Sequence, residues 1–156
     1  MFHLAGQIDV PKSVEDPIGA AQSNVLGTIV VLESALAIGA ARVVDSSTGG
    51  GLYGDAEVLP TREDHPIRRL APYGPSKLAA EGYCELYTRL HGLSTVSLRY
   101  ANVHGPRQDA HSEAGVVAIF CRNLIEKRRS TVFGDGRQTR EWVEVGDVVR
   151  VNLLAA

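Results

Sequence analysis

Tyr73-Gly74-Pro75-Ser76-Lys77 sets a phenol and an amine four residues apart. Pro75 suits the first turn of a helix, where its missing N–H costs nothing. A helix starting there puts Tyr73 and Lys77 on one face. A free tyrosine titrates near about 10 and a lysine near about 10.4. An ammonium fixed beside the phenol favours phenolate, so the spacing predicts a Tyr73 pKa lowered toward neutrality and an acid/base group near pH 7. Upstream, Arg42-Val43-Val44 reads as a strand running into Ser46-Ser47-Thr48, and Thr48 would add a hydroxyl that holds a substrate oxygen against Tyr73. Taken alone, Tyr-x-x-x-Lys also describes a half-buried ring beside a solvated lysine.

Further motifs stand in order around this pair. Thr48 is followed by Gly49-Gly50-Gly51-Leu52-Tyr53-Gly54. Downstream come Leu98-Arg99-Tyr100-Ala101-Asn102-Val103-His104-Gly105-Pro106-Arg107 and Val132-Phe133-Gly134-Asp135-Gly136-Arg137-Gln138-Thr139-Arg140. Periodicity supplies the elements between them. Met1 to Ala5 reads as a short buried strand. Asp16-Pro17 marks a turn before a helix whose apolar positions Val25, Ile29, Leu32 and Leu36 recur until Gly39. Tyr73 to His91 reads as a long amphipathic helix, with Leu78, Gly82, Leu86 and Leu90 on one face and Gly92 as its stop. Ser94 to Tyr100 alternates as a strand. Val116 to Lys127 is a further helix with Val117, Ile119, Phe120 and Leu124 as its apolar face. Thr131 to Gly134 reads as a strand, Gly134-Asp135-Gly136 as its turn, and Asp147 as the cap of a closing helix, Val148 to Ala156.

With 156 residues, 44% of them apolar, and a net charge of −2, the chain has one domain's worth of core and no bias toward nucleic acid or a membrane surface. No apolar run is expected to reach the roughly 18 residues of a spanning helix, and no signal peptide opens the chain, which points to the cytoplasm. Cys84 and Cys121 fall on helices among apolar neighbours and read as reduced, buried thiols. His3, His65, His91, His104 and His111 lack metal-ligand spacing, so no metal site is expected.

The motifs in register closely resemble the extended short-chain dehydrogenase/reductase superfamily, in its NAD-dependent nucleotide-sugar epimerase/dehydratase branch. The resemblance runs from Phe2 to the last residue. It implies an α/β fold, a partial Rossmann-like doubly wound parallel sheet over residues 1–156, with 107–145 contributing to the substrate side. The N-terminal half-Rossmann unit with its glycine-rich turn and the C-terminal substrate segment would be absent, as in an internal fragment, and the sheet would expose an edge. Thr48, Tyr73 and Lys77 would be catalytic. NAD would lie against Leu4, Ala5, Gly6, Asn24, Ser46, Ser47, Tyr73, Lys77 and Tyr100; Asn24 would hydrogen-bond nearby backbone. Asn102 and Arg140 would hold a nucleotide sugar, a UDP-sugar, the arginine gripping its diphosphate. Four positions depart from the family: Asp45, where relatives usually carry an apolar or small residue and an unpaired acid is costly, His104, Trp142 and Glu144. His104 receives no role.

Gly49-x-Gly51-x-x-Gly54 also matches a dinucleotide fingerprint, which works only where a helix begins. The prolines and acids from Asp55 to Pro66 argue that none does, and the glycines fit better as a loop beneath the sugar. In the family, dehydratases carry an Asp-Glu pair after the catalytic threonine. Gly49 and Gly50 stand there, which favours 4-epimerisation. Two alternatives stay open: a related dehydratase or reductase, and a non-catalytic module that dimerises through the Tyr73 helix and the helix from Asn24, as a homodimer of the parent protein would.

Overall fold

The computed structural model describes residues 1–54, 56, 58–110 and 115–156. Asp55, which opens the acid-rich segment, and His111 lie outside the described residues. The main sheet has three parallel strands in the order β1 (Phe2–His3), β2 (Arg42–Thr48), β3 (Ser94–Tyr100). Parallel neighbours need crossover connections, and helices supply them. Between β1 and β2 run α1 (Val10–Glu15), α2 (Pro17–Ala21), a π-helical turn over Gln22–Leu26 and α3 (Gly27–Ala37). Between β2 and β3 lie the short α4 (Gly50–Tyr53) and the long α5 (Tyr73–His91). This is the parallel α/β architecture the sequence predicts.

Side chains alternate along β2. Val43 faces Leu32 and Ala35 of α3 and Cys84 and Tyr87 of α5, and these form the core. Ser47, on the same face, donates to Glu81 of α5. The opposite face meets α7 (Val145–Ala155), whose Asn152 donates to the Tyr100 hydroxyl at 2.7 Å. A second parallel pair, β4 (Asn102–His104) with β5 (Trp142–Glu144), sits beyond the end of β3, and α6 (Val116–Ile125) lies between them in the chain.

Several elements differ from their sequence reading. β1 is two residues long and buries only His3, because Phe2 and Leu4 point to open space. α5 has the expected bounds and its Gly92 stop in the left-handed region at φ 68, but its buried face is Gly74, Ser76, Lys77, Ala80, Cys84 and Tyr87. Leu90 and Gly82 are exposed, so small and polar side chains, not leucines, fit against the sheet. A helical turn, α4, does begin within the glycine run, contrary to the expectation of none; it lasts four residues and stops at Gly54, φ 60. Thr131 to Gly134 is not a strand, although the turn at Gly134–Gly136 is present. The closing helix starts three residues early, capped by Glu144 through the Gly146 N–H; Asp147 lies inside its first turn and pairs with Arg150 at 3.2 Å. Cys121 is exposed, since α6 buries no residue, whereas Cys84 is buried; both are free thiols.

The span Pro17–Ala37 is 21 residues at hydropathy 1.2, long and apolar enough by length and composition to cross a membrane. That corrects the expectation that no apolar run reaches this length. Glu33 is its one charged residue, and the helix buries Asn24, Thr28, Leu32 and Ala35 in contacts within the fold.

Candidate active site

Three chain segments meet at the C-terminal end of β2. Tyr73 opens α5, where its backbone N–H donates to the Ser13 hydroxyl of α1 at 3.2 Å. Lys77, one turn on, is buried and donates from Nζ to the Ser46 carbonyl at 2.8 Å. Thr48 ends β2; its hydroxyl accepts from the Gly51 N–H at 3.1 Å and lies beside the Tyr73 phenol, where it favours the phenolate. The expected triad is therefore assembled by strand end and helix start.

Two glycines allow close packing here. A Cβ on Gly51 would lie 2.8 Å from Thr48 Cγ2 and 3.0 Å from Tyr73 Cε1. One on Gly6 would lie 2.9 Å from Asn24 Oδ1 and 3.1 Å from Lys77 Nζ. Neither position has room for a side chain, so glycine lets the backbone pass close to the phenol at one and to the amine at the other. Asn24 sits in the π-helical turn, a feature that re-aims side chains and recurs at functional sites. It accepts from the Gln7 N–H at 2.8 Å and donates to the Gln7 carbonyl at 3.0 Å and to Ser76 Oγ at 2.9 Å. Asn24 thereby ties the β1 exit loop to α5.

The remaining expected residues divide. Leu4, Ala5 and Gly6 lie exposed on the loop beside Lys77. Ser46 meets Lys77 through its carbonyl. Ser47 is turned to the helix side and committed to Glu81, which also holds Arg99. Tyr100 pairs with Thr48 in register, and its hydroxyl is held by Asn152. Asn102 and Arg140 are brought near one another by the β4–β5 pairing: Asn102 Nδ2 donates to the Glu141 carbonyl at 3.0 Å, and Arg140 is exposed. Among the described residues no hydrogen bond or ion pair links these two to the Thr48–Tyr73–Lys77 group.

Electrostatics correct one expectation. Burial pushes the Tyr73 phenol above its ordinary value, only partly offset by the Thr48 hydroxyl. Lys77 does not bring it down, because the ammonium is turned to Ser46 and is itself depressed by burial, with Asp45 opposing that shift. Asp45 is 1% exposed and neither carboxylate oxygen has a hydrogen-bond partner. Burial raises its pKa, against the pull of Lys77, His3 and the Ser97 hydroxyl. A groove of about 680 Å³ runs between α5 and β3, and neither Tyr73 nor Lys77 lines it.

Sequence reasoning missed α1 and with it Ser13. The signal was present: Asp9 caps the helix through the Lys12 N–H, and a proline follows in the first turn. It also missed the partnership of Glu81 with Ser47 and Arg99, which no local pattern announces.

The sequence model of the NAD dependent epimerase/dehydratase family matches residues 1–156. The chain belongs to that family. A UDP-glucose 4-epimerase from Mycolicibacterium smegmatis is 47% identical over 149 residues, covering 96% of this chain and 48% of the relative. The UDP-glucose 4-epimerase of Thermotoga maritima, solved with UDP-glucose, is 46% identical with a TM-score of 0.95 over 99% of this chain and 50% of that one. The Thermus thermophilus UDP-glucose 4-epimerase, solved with NAD, is 42% identical with a TM-score of 0.91, covering 99% of this chain and 51% of that one. The chain spans about half the length of the curated relatives it matches.

Proposed function

We propose that this chain carries the proton-transfer part of an NAD-dependent nucleotide-sugar 4-epimerase that acts on UDP-glucose and its C4 epimer. The observation that carries the reading is the convergence of the Thr48 hydroxyl and the Tyr73 ring over the Gly51 backbone. It offers a sugar hydroxyl a donor and a proton acceptor at one point. The relatives solved with UDP-glucose and with NAD support the substrate and cofactor, and the Gly6 backbone passing close to Lys77 suits approach of a cofactor ribose. Bound NAD would supply the hydride acceptor and donor, and in its oxidised form a positive charge.

The chain's own residues handle the proton. Tyr73 Oη takes it from the sugar C4 hydroxyl as that carbon becomes a carbonyl and returns it on re-reduction. Thr48 fixes the sugar oxygen against the phenol. Lys77, fixed by the Ser46 carbonyl, keeps a cation one turn from Tyr73. Gly49 and Gly50 follow Thr48 where an elimination would need carboxylates, which favours epimerisation over dehydration. Asn102 and Arg140 would meet the nucleotide diphosphate from the β4–β5 side.

The test is a graft in which these 156 residues replace the matching half of the Thermotoga maritima enzyme. Conversion of UDP-galactose to UDP-glucose by the graft is the expected result. A folded graft that retains NAD and turns nothing over would contradict the reading.

A further inference from the structure

We propose that Asp45 is a positioning residue for Lys77: a buried carboxylate beneath α5 that holds the lysine in its charged form. The proposal starts from the strand register. His3 of β1 pairs with Asp45 of β2, and Asp45 with Ser97 of β3, so the three form one row across the sheet. Partners in register point to the same face, here the face covered by α3 and α5. Asp45 is 1% exposed with both oxygens lacking a hydrogen-bond partner. A carboxylate in that position is stabilised only by charge nearby.

Elimination identifies the charge. His3, from β1, is pressed toward its neutral form by its own burial, and its Nε2 lies 3.0 Å from the Thr28 hydroxyl of α3. Glu81, from α5, bears the same sign as Asp45 and is held by Arg99 at 2.6 Å. Cys84, also from α5, is a neutral thiol pushed up to about 12, mainly by burial. From β3, Ser97 offers a hydroxyl, and Tyr100 is a neutral phenol raised by burial. α3 carries one charge, Glu33, of the same sign as Asp45 and engaged with the Tyr87 hydroxyl, and its Thr28 hydroxyl holds His3. Lys77 is the remaining cation, and its Nζ is fixed on the carbonyl of Ser46, the residue next to Asp45. The two groups oppose each other's burial shifts. They are a coupled pair without a direct salt bridge.

The consequence for catalysis rests on the proposed function, since a cationic Lys77 matters there because of Tyr73; the coupling itself does not. The sequence makes a direct test possible, because the chain has three lysines, Lys12, Lys77 and Lys127, and the other two are exposed. With lysine labelled by ¹³C at Cε, the Lys77 midpoint is followed by NMR in the unsubstituted chain and in Asp45→Asn. An opposite charge a few ångströms away shifts a group by about one unit or more, so Asp45→Asn is expected to weaken proton binding at Lys77 at least about tenfold, with Lys12 and Lys127 unmoved. A change below about twofold overturns the proposal. Should the variant not fold, the unsubstituted chain decides: coupled groups report each other's titration, so the Asp45 carboxyl ¹³C must show an inflection at the Lys77 midpoint. A flat Asp45 signal there overturns the proposal equally. The turnover of the graft reads Tyr73 chemistry and not this coupling, so either idea can fail without the other.

Discussion

Tyr73 combines two opposing influences. Its phenol is half-buried, which favours the neutral form, and the Thr48 hydroxyl beside it favours phenolate; burial wins. A raised pKa means the proton stays on as pH rises through the ordinary range and leaves above it. Ultraviolet titration of the chain without NAD should therefore lose, in Tyr73→Phe, a tyrosinate step lying above about 10. A step lost near neutral pH would contradict this. The two thiols make a second contrast. Cys84 is buried and titrates near about 12, so it has almost no thiolate at pH 8, while Cys121 is exposed. Ellman's reagent should find one reactive thiol in the native chain and both after denaturation; a native chain yielding both would show that the core around Cys84 opens readily. The position of Tyr73, Lys77 and Thr48 was legible in the sequence because helix spacing and a strand end fix it. The direction of the phenol's shift was not, because burial depends on tertiary packing that spacing does not contain.

α5 explains how the elements hold the site. Its first turn is pressed against α4: a Cβ on Gly74 would come within 2.2 Å of the Gly51 carbonyl oxygen. That contact involves backbone on one side and cannot be relieved by a rotamer. Gly74→Ala should lower stability by about 1–3 kcal/mol, read as a reduced urea midpoint with unchanged slope, and should also displace Tyr73. An unchanged midpoint would mean the helix shifts freely and the site is less fixed than described. α5 and β3 were legible because each carries a clean period and α5 ends on a left-handed glycine. The supposed strand at Thr131–Gly134 failed for the opposite reason: β-branched and aromatic residues suit a strand, but none of the described strands pairs with it. The π-helical turn had no sequence signature; it exists where Asn24 must reach both Gln7 and Ser76.

The sheet and its helices bear on one region at the end of β2, yet many apolar side chains remain outside the core. Ile18, Leu26 and Val30 on the helix from Pro17 and Leu90 on α5 are exposed. We propose that these helices face a second copy in a homodimer, as their exposed apolar residues favour. Sedimentation equilibrium should then show self-association across micromolar concentrations; a monomer throughout would contradict it. Parallel topology was legible because helices alternate with strands, whereas which apolar side chains stay outside the core was not, since a buried stripe and an exposed stripe share one pattern.

The central claim is that Tyr73 moves the proton during epimerisation. It is tested most directly by Tyr73→Phe in the graft with the Thermotoga maritima half, measuring UDP-galactose turnover and NAD content together. General acid–base groups contribute about 10²–10⁴-fold, so turnover should fall by at least about a hundredfold while NAD stays bound. A variant that keeps turnover within about tenfold of the parent graft would show that another group carries the proton.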